Sequence, residues 1–118
     1  MWATVTVVGS GSKDVYKSKA GMAQKADVAA DQVPVEAYDG IVIPGGYAPD
    51  LMRRYPPMVA MVKTLFDHNK LVAAICHAGW MLASAKILAG RTVTSFFAIK
   101  DDLIHAGAKW VDQEVMVD

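Results

Sequence analysis

A cysteine followed directly by a histidine, Cys76-His77, and an upstream glycine pair, Gly45-Gly46, are the residues of this chain best suited to do chemistry. A thiolate is a strong nucleophile, an imidazole can take the thiol proton, and glycine lets backbone N–H groups approach a developing oxyanion. Cys76 closes the apolar run LVAAIC at 71 to 76 and precedes a helical pattern, so it falls where a strand hands over to a helix. The orphan N–H groups and positive dipole end of that helix would stabilise a thiolate. Gly46 and His77 are then the candidate N–H donors of an oxyanion hole. The same residues also fit a buried cysteine, a glycine turn and a surface histidine, since free cysteine is among the most buried residue types. Spacing alone leaves both readings open.

The elements that would position these groups alternate between strand and helix. GIVI at 40 to 43 is a short continuous apolar run stopped by Pro44-Gly45-Gly46, the pattern of a strand buried on both faces. LVAAI at 71 to 75 repeats it. Between them Val59, Val62, Leu65 and Phe66 recur at helical spacing, with Pro56-Pro57 at the start and Asn69-Lys70 at the end. A second helix is expected over 78 to 88, closed by Gly90, then a strand over 92 to 95 and a short helix over 101 to 106 ended by Gly107. Residues 110 to 117 read as a final extended segment. At the front, TVTVV at 4 to 8 reads as a strand ending at Gly9-Ser10-Gly11-Ser12, residues 13 to 31 as an irregular excursion with one or two short strands, and 34 to 38 as a single helical turn. The sum is a doubly wound, mostly parallel α/β sheet in one domain spanning 1 to 118. In such sheets the binding crevice lies beyond the carboxyl ends of the strands, where Gly45-Gly46 and Cys76-His77 both fall.

Composition narrows the chemistry. The 118 residues are 53% hydrophobic, with 12 Lys+Arg balancing 12 Asp+Glu. That apolar share supports one core and argues against disorder. Zero formal net charge without long like-charge runs offers no footprint for nucleic acid or an anionic membrane. No apolar run approaches the roughly 18 residues of a membrane span, and the first residues do not form a secretory signal. A single cysteine excludes an intrachain disulfide and a Cys-rich zinc site, and it suits the reducing cytoplasm. No metal site is expected from His68 and His105, read as solvated helix residues, and no cofactor is expected. Gly9-Ser10-Gly11 lacks the third glycine of a dinucleotide loop and reads as a turn. Asp101-Asp102 reads as a helix-start pair, and Trp80, Met81 and Leu82 as packing residues.

YDGIVIPGGYAPDLMRRYP, then VAAICHAGWMLASA, then GRTVTSFFAIKDDLIHAGAKWVD together resemble the ThiJ/PfpI superfamily, of the class I glutamine amidotransferase-like fold. Within it they resemble the PfpI-like intracellular cysteine peptidase and general stress protein branch. The resemblance runs from about Val5 to Asp118, and the ordered pair IPGG and AICHAG is its most specific part. It implies a flavodoxin-like fold, with Cys76 as the elbow nucleophile, His77 as its histidine and Asp50 as an acid that orients the histidine of a neighbouring subunit. Gly45, Gly46, Tyr47 and Ala78 would form the oxyanion and substrate-binding side. The implied activity is that of a cysteine-dependent hydrolase or lyase acting on peptides, amides, glyoxals or glycated groups. An acid supplied across an interface implies a homo-oligomer.

The chain also departs from this pattern. The family's first strand and helix, whose glutamate meets the elbow cysteine, and its last strand and helix have no counterpart here. Exchange of elements between subunits, or a tight oligomer, would cover the edges so left. The alternative function is a catalytically impaired member serving as a stress-related interaction module. A glutamine amidotransferase is disfavoured, because His105 is followed by Ala106-Gly107 and not by the distant His-x-Glu pattern. Tyr47, Arg53 and the Phe96-Phe97 loop are candidates to line the pocket.

Overall fold

The computed structural model describes residues 2–118. They divide into two compact units, residues 2–34 and 35–118.

The first unit is built from short extended pieces. β1 (Val8–Gly9) pairs parallel with β4 (Val28–Ala29), and β2 (Val15–Lys17) pairs antiparallel with β3 (Ala23–Lys25). A single 3-10 turn follows at Ala30–Gln32. The strand expected over 4 to 8 is therefore realised only at its end. Val5 is 78% exposed, so the β-branched run there has no apolar face to bury, and propensity without a packing partner does not make a ladder. The turn expected at Gly9-Ser10-Gly11 is realised one step later: Gly9 ends β1, and the chain bends at Gly11-Ser12, where Gly11 takes φ 92°. The Tyr16 hydroxyl lies 3.1 Å from Ser10 Oγ and 3.3 Å from Ser12 Oγ, and it accepts the Lys13 N–H at 3.3 Å.

The second unit opens with a helical turn at Val35–Ala37 and continues into β5 (Gly40–Ile43). Next come α1 (Ala48–Met52), α2 (Pro56–Asp67) and β6 (Leu71–Ala74). β5 and β6 run parallel in a register that sets Gly40 opposite Leu71 and Ile43 opposite Ala74. α2 starts where the sequence places it, because Pro56 and Pro57 occupy its first turn, where a missing N–H costs nothing. Its buried residues Met58, Met61, Val62 and Leu65 form one helical stripe, and the helix packs on β5 and β6.

The expectation that GIVI is buried on both faces is corrected here. Ile43 is buried, but Val42 is 74% exposed and Leu71 65% exposed. α2 covers one face of the strand pair, and Val42 and Leu71 project from the other.

After β6 a 3-10 turn over Cys76–Ala78 runs into α3 (Gly79–Ser84). β7 (Thr92–Val93) follows, then α4 (Lys100–His105) and β8 (Lys109–Trp110), which pairs parallel with β7. The helix expected to reach Leu88 stops at Ser84, since Lys86 takes a left-handed φ of 58° that breaks the ladder. Leu88 still belongs to the core, packed with Ile99, Leu103 and Ala108. α4 ends at His105, and Gly107 two residues on, with φ 97°, is the glycine stop read from the sequence. Beyond Trp110 the final segment is extended but forms no further ladder. It is tied to β7 by the Val111 N–H to Val93 carbonyl bond of 2.9 Å and the Thr92 N–H to Asp118 bond of 2.7 Å.

These strands pair in twos among the described residues. Three of the four pairings are parallel; helices lie in the β5–β6 and β7–β8 connections, whereas the β2–β3 hairpin joins β1 to β4, and the fold is α/β and flavodoxin-like.

Candidate active site

Cys76 sits at the point the sequence indicates, between the end of β6 and the helical turn that leads into α3. Its backbone takes φ 60°, a left-handed conformation that a residue with a Cβ adopts at a cost of about 1–2 kcal/mol. Ile75 before it is extended and Ala78 after it is helical, so this one residue absorbs the reversal from strand to helix. Two hydrogen bonds hold the corner, Ala78 N–H to the Ile75 carbonyl at 2.9 Å and Phe96 N–H to the Cys76 carbonyl at 3.2 Å. The thiol is partly buried, so it is not sealed in an aliphatic core.

His77 brings its Nδ1 to 3.2 Å from Cys76 Sγ. Its ring is fixed by aromatic neighbours on two sides, Trp80 at 5.2 Å edge-on and Phe96 at 4.9 Å. Trp80 is anchored in turn, donating its Nε1–H to Asp102 at 2.8 Å and lying under the Arg53 guanidinium. Arg53 is itself tied to Ser84 Oγ at 2.9 Å. Among the described residues the imidazole is oriented by packing and not by a carboxylate. Asp102, which the sequence assigns to the start of α4, indeed lies in its first turn, and its carboxylate serves Trp80.

Gly45 lies against the nucleophile corner. A Cβ there would sit 2.6 Å from Cys76 Cβ and 3.0 Å from the Ile75 carbonyl, so only glycine lets the β5 loop lie this close to Cys76. Gly46 takes φ 73° and has open space where a side chain would stand. The structure thus brings Gly45, Cys76, His77 and Ala78 together, with Gly46 next along the same loop.

Asp50 and Tyr47 are placed differently. Asp50 lies in α1 and forms an ion pair with Arg54 four residues on. The Arg54 hydrogen bond, with further help from Tyr47 and the nearby guanidinium charges, holds the Asp50 carboxyl below its ordinary value against the opposing effect of desolvation. Among the described residues the Asp50 carboxylate pairs with Arg54 and not with His77. Tyr47 is 67% exposed, with its hydroxyl 3.5 Å from an Arg54 nitrogen.

A cavity of about 240 Å³ is lined by Ala74, Ile75, Cys76, Thr94, Ser95, Phe96 and the Gln113-Glu114 segment. The Phe96 loop is thus a lining element as the sequence proposes, whereas Arg53 supports Trp80 and Phe97 stands 71% exposed. Thr94, Ser95 and Glu114 were not singled out from the sequence. The first two carried a usable signal, since they leave the carboxyl end of β7, the side where sites form in such sheets. Among the described residues no three His, Cys, Asp or Glu side chains gather as a metal group, and no helix is long and apolar enough to cross a membrane.

Residues 3–118 match the DJ-1/PfpI family. The chain is 40% identical over 111 residues to the deglycase PfpI of Pyrococcus furiosus, covering 94% of this chain and 67% of that protein. It is 37% identical over 114 residues to general stress protein 18 of Bacillus subtilis, covering 96% of this chain and 66% of the relative. Among solved structures, a two-domain protein of Anabaena variabilis with DJ-1/ThiJ/PfpI-like and ferritin-like domains matches with a TM-score of 0.92 at 39% identity, over 96% of this chain and 33% of that one. The chain spans about two thirds of the length of the curated relatives it matches.

Proposed function

The chain belongs to the DJ-1/PfpI family, and on that premise we propose that it is a cysteine-dependent hydrolase of the deglycase or peptidase kind, with Cys76 as its nucleophile. The relatives named deglycases support an activity of this class. The observation that carries the residue assignment is the strained Cys76 corner, with Sγ 3.2 Å from His77 Nδ1. Local strain of 1–3 kcal/mol is kept where the surroundings over-determine it, and such positions cluster at functional sites.

In this reading Cys76 passes its proton to His77 and the sulfur adds to the carbonyl carbon of the substrate. The negative charge that develops on oxygen is met by the N–H groups of His77 and Gly46, with Gly45 allowing the approach. For an amide, His77 returns the proton to the departing amine, and water then cleaves the thioester to release the acid and restore the thiol. Ala78 continues the corner and Tyr47 stands at the rim as a substrate contact. Asp50 acts across a subunit interface, orienting the histidine of a second copy, so the working form is a homo-oligomer. Its partly exposed carboxylate, held in the ionised form by Arg54, suits that task. The substrates are small carbonyl adducts or peptides.

The test is turnover of a glyoxal-derived adduct and of a peptide amide by the wild type and Cys76→Ser. Both activities are expected to fall by about a thousandfold or more, since loss of a nucleophile removes most of the chemical acceleration. Turnover by Cys76→Ser equal to the wild type overturns the assignment.

A further inference from the structure

The mechanism above does not use Glu114, although its segment lines the cavity that holds the nucleophile. The position of that segment is determined by bonds on both sides. Upstream, the Val111 N–H reaches the Val93 carbonyl at 2.9 Å, and the Gln113 carbonyl accepts the Thr94 hydroxyl at 3.0 Å. Downstream, Asp118 accepts the Thr92 N–H at 2.7 Å and lies 3.4 Å from Arg91. Glu114 is thereby held against the end of β7, next to Ser95 and Phe96.

The two hydroxyls of the cavity are already engaged. Ser95 Oγ accepts the Trp110 Nε1–H at 2.9 Å and donates to the Phe96 carbonyl at 2.9 Å, and Thr94 is bonded to Gln113. Glu114 has no hydrogen bond or ion pair among the described residues, and it is the charged residue lining the cavity. Arg53 is engaged by Ser84 and Trp80, and Lys100 lies over the Trp110 ring.

We propose that Glu114 is a specificity-determining residue: its negative charge, in the cavity that holds Cys76, favours carbonyl substrates bearing a positive charge and disfavours anionic ones. The physical basis is the Coulomb interaction of a fixed charge with a charged reactant at the cavity mouth; Glu114 is exposed, so water screens it and the bias it imposes is modest. Ile75 and Phe96 supply the apolar walls, and an unpaired acid among saturated hydroxyls is the group left to bind a cationic nitrogen. This inference rests on the site assigned above, but its test does not depend on turnover.

The experiment measures the rate at which Cys76, the single cysteine of the chain, reacts with three methanethiosulfonates in the wild type, Glu114→Gln and Glu114→Asp. The reagents carry a trimethylammonium-ethyl group, a sulfonato-ethyl group and a neutral methyl group. The ratio of cationic to anionic rates is expected to fall about threefold or more in Glu114→Gln, to be largely kept in Glu114→Asp, and to leave the neutral rate unchanged. An unchanged ratio overturns the proposal. So does a neutral rate that moves as far as the charged ones, which marks a steric effect, or a thiol unreactive toward all three reagents, which means the cavity gives no access. A changed ratio with no loss of turnover in Cys76→Ser would uphold the role of Glu114 in the cavity and overturn only the nucleophile.

Discussion

The two units of the chain put their residues to opposite uses. In the stretch 2–34 two described residues are buried, Gly9 and Ala30, and the ladders are two or three residues long. In 35–118 the buried set includes Ile43, Val62, Leu65, Met81, Leu88, Ile99 and Leu103, and the candidate site lies on the strand ends that this core supports. Burial of apolar area is the main favourable term in folding, so the second unit carries both the stability and the chemistry. The lesson is that a strained corner such as Cys76 persists only where packing around it is strong enough to impose it.

The largest effect that would break this contrast is on turnover, where Cys76→Ser loses about three orders of magnitude while no substitution confined to 2–34 does so; an activity assay on both sets of variants decides it. Next is stability. Leu103 is fully buried between Leu88, Ile99 and Ala108, and Leu103→Ala is expected to cost about 2–5 kcal/mol. Val15→Ala, at a position 44% exposed, should cost under about 1 kcal/mol. Denaturant melts that show equal losses would remove the distinction between the units.

A smaller effect sharpens it at the corner itself. Glycine normally destabilises relative to alanine, but at φ 60° the order should invert, with Cys76→Gly more stable than Cys76→Ala by about 0.5–1 kcal/mol in thermal unfolding. The ordinary order would mean that the corner relaxes when the sulfur is gone.

The smallest effect concerns Asp50. Its folded-state carboxyl lies below the ordinary value because of Arg54, so the stabilisation it contributes is present above the unfolded value of about 3.9 and is lost as pH falls through the lower folded value. The stability difference between wild type and Asp50→Asn is therefore expected at neutral pH and should vanish on strong acidification. A difference that persists at the acidic end would assign the effect to packing. In turnover, Asp50→Asn should weaken activity less than Cys76→Ser does.

Much of the second unit was legible because its signals are local and agree with one another. Pro56-Pro57 opens α2, its apolar spacing matches its buried stripe, and Gly107 follows α4 where a positive φ is needed. The corner at Cys76 was legible too, since an apolar run meeting a helical pattern leaves few places for the reversal. What sequence pattern did not reveal depends on neighbours far along the chain. The exposure of Val42 follows from having α2 on one face only, which a run of four apolar residues cannot report. The placement of Trp80 and Phe96 around His77, and of Glu114 beside Cys76, arises from contacts that span up to 38 positions from the nucleophile. Strand lengths at 4 to 8 and 92 to 95 were overread because β-branched composition signals propensity, and pairing requires a partner.

The most direct test of the account is to alkylate the protein with iodoacetamide in steps, measuring turnover and, by mass spectrometry, the fraction of Cys76 modified at each step. The account predicts that activity falls in proportion to modification and reaches zero when Cys76 is fully alkylated. Full turnover by fully alkylated protein would contradict it.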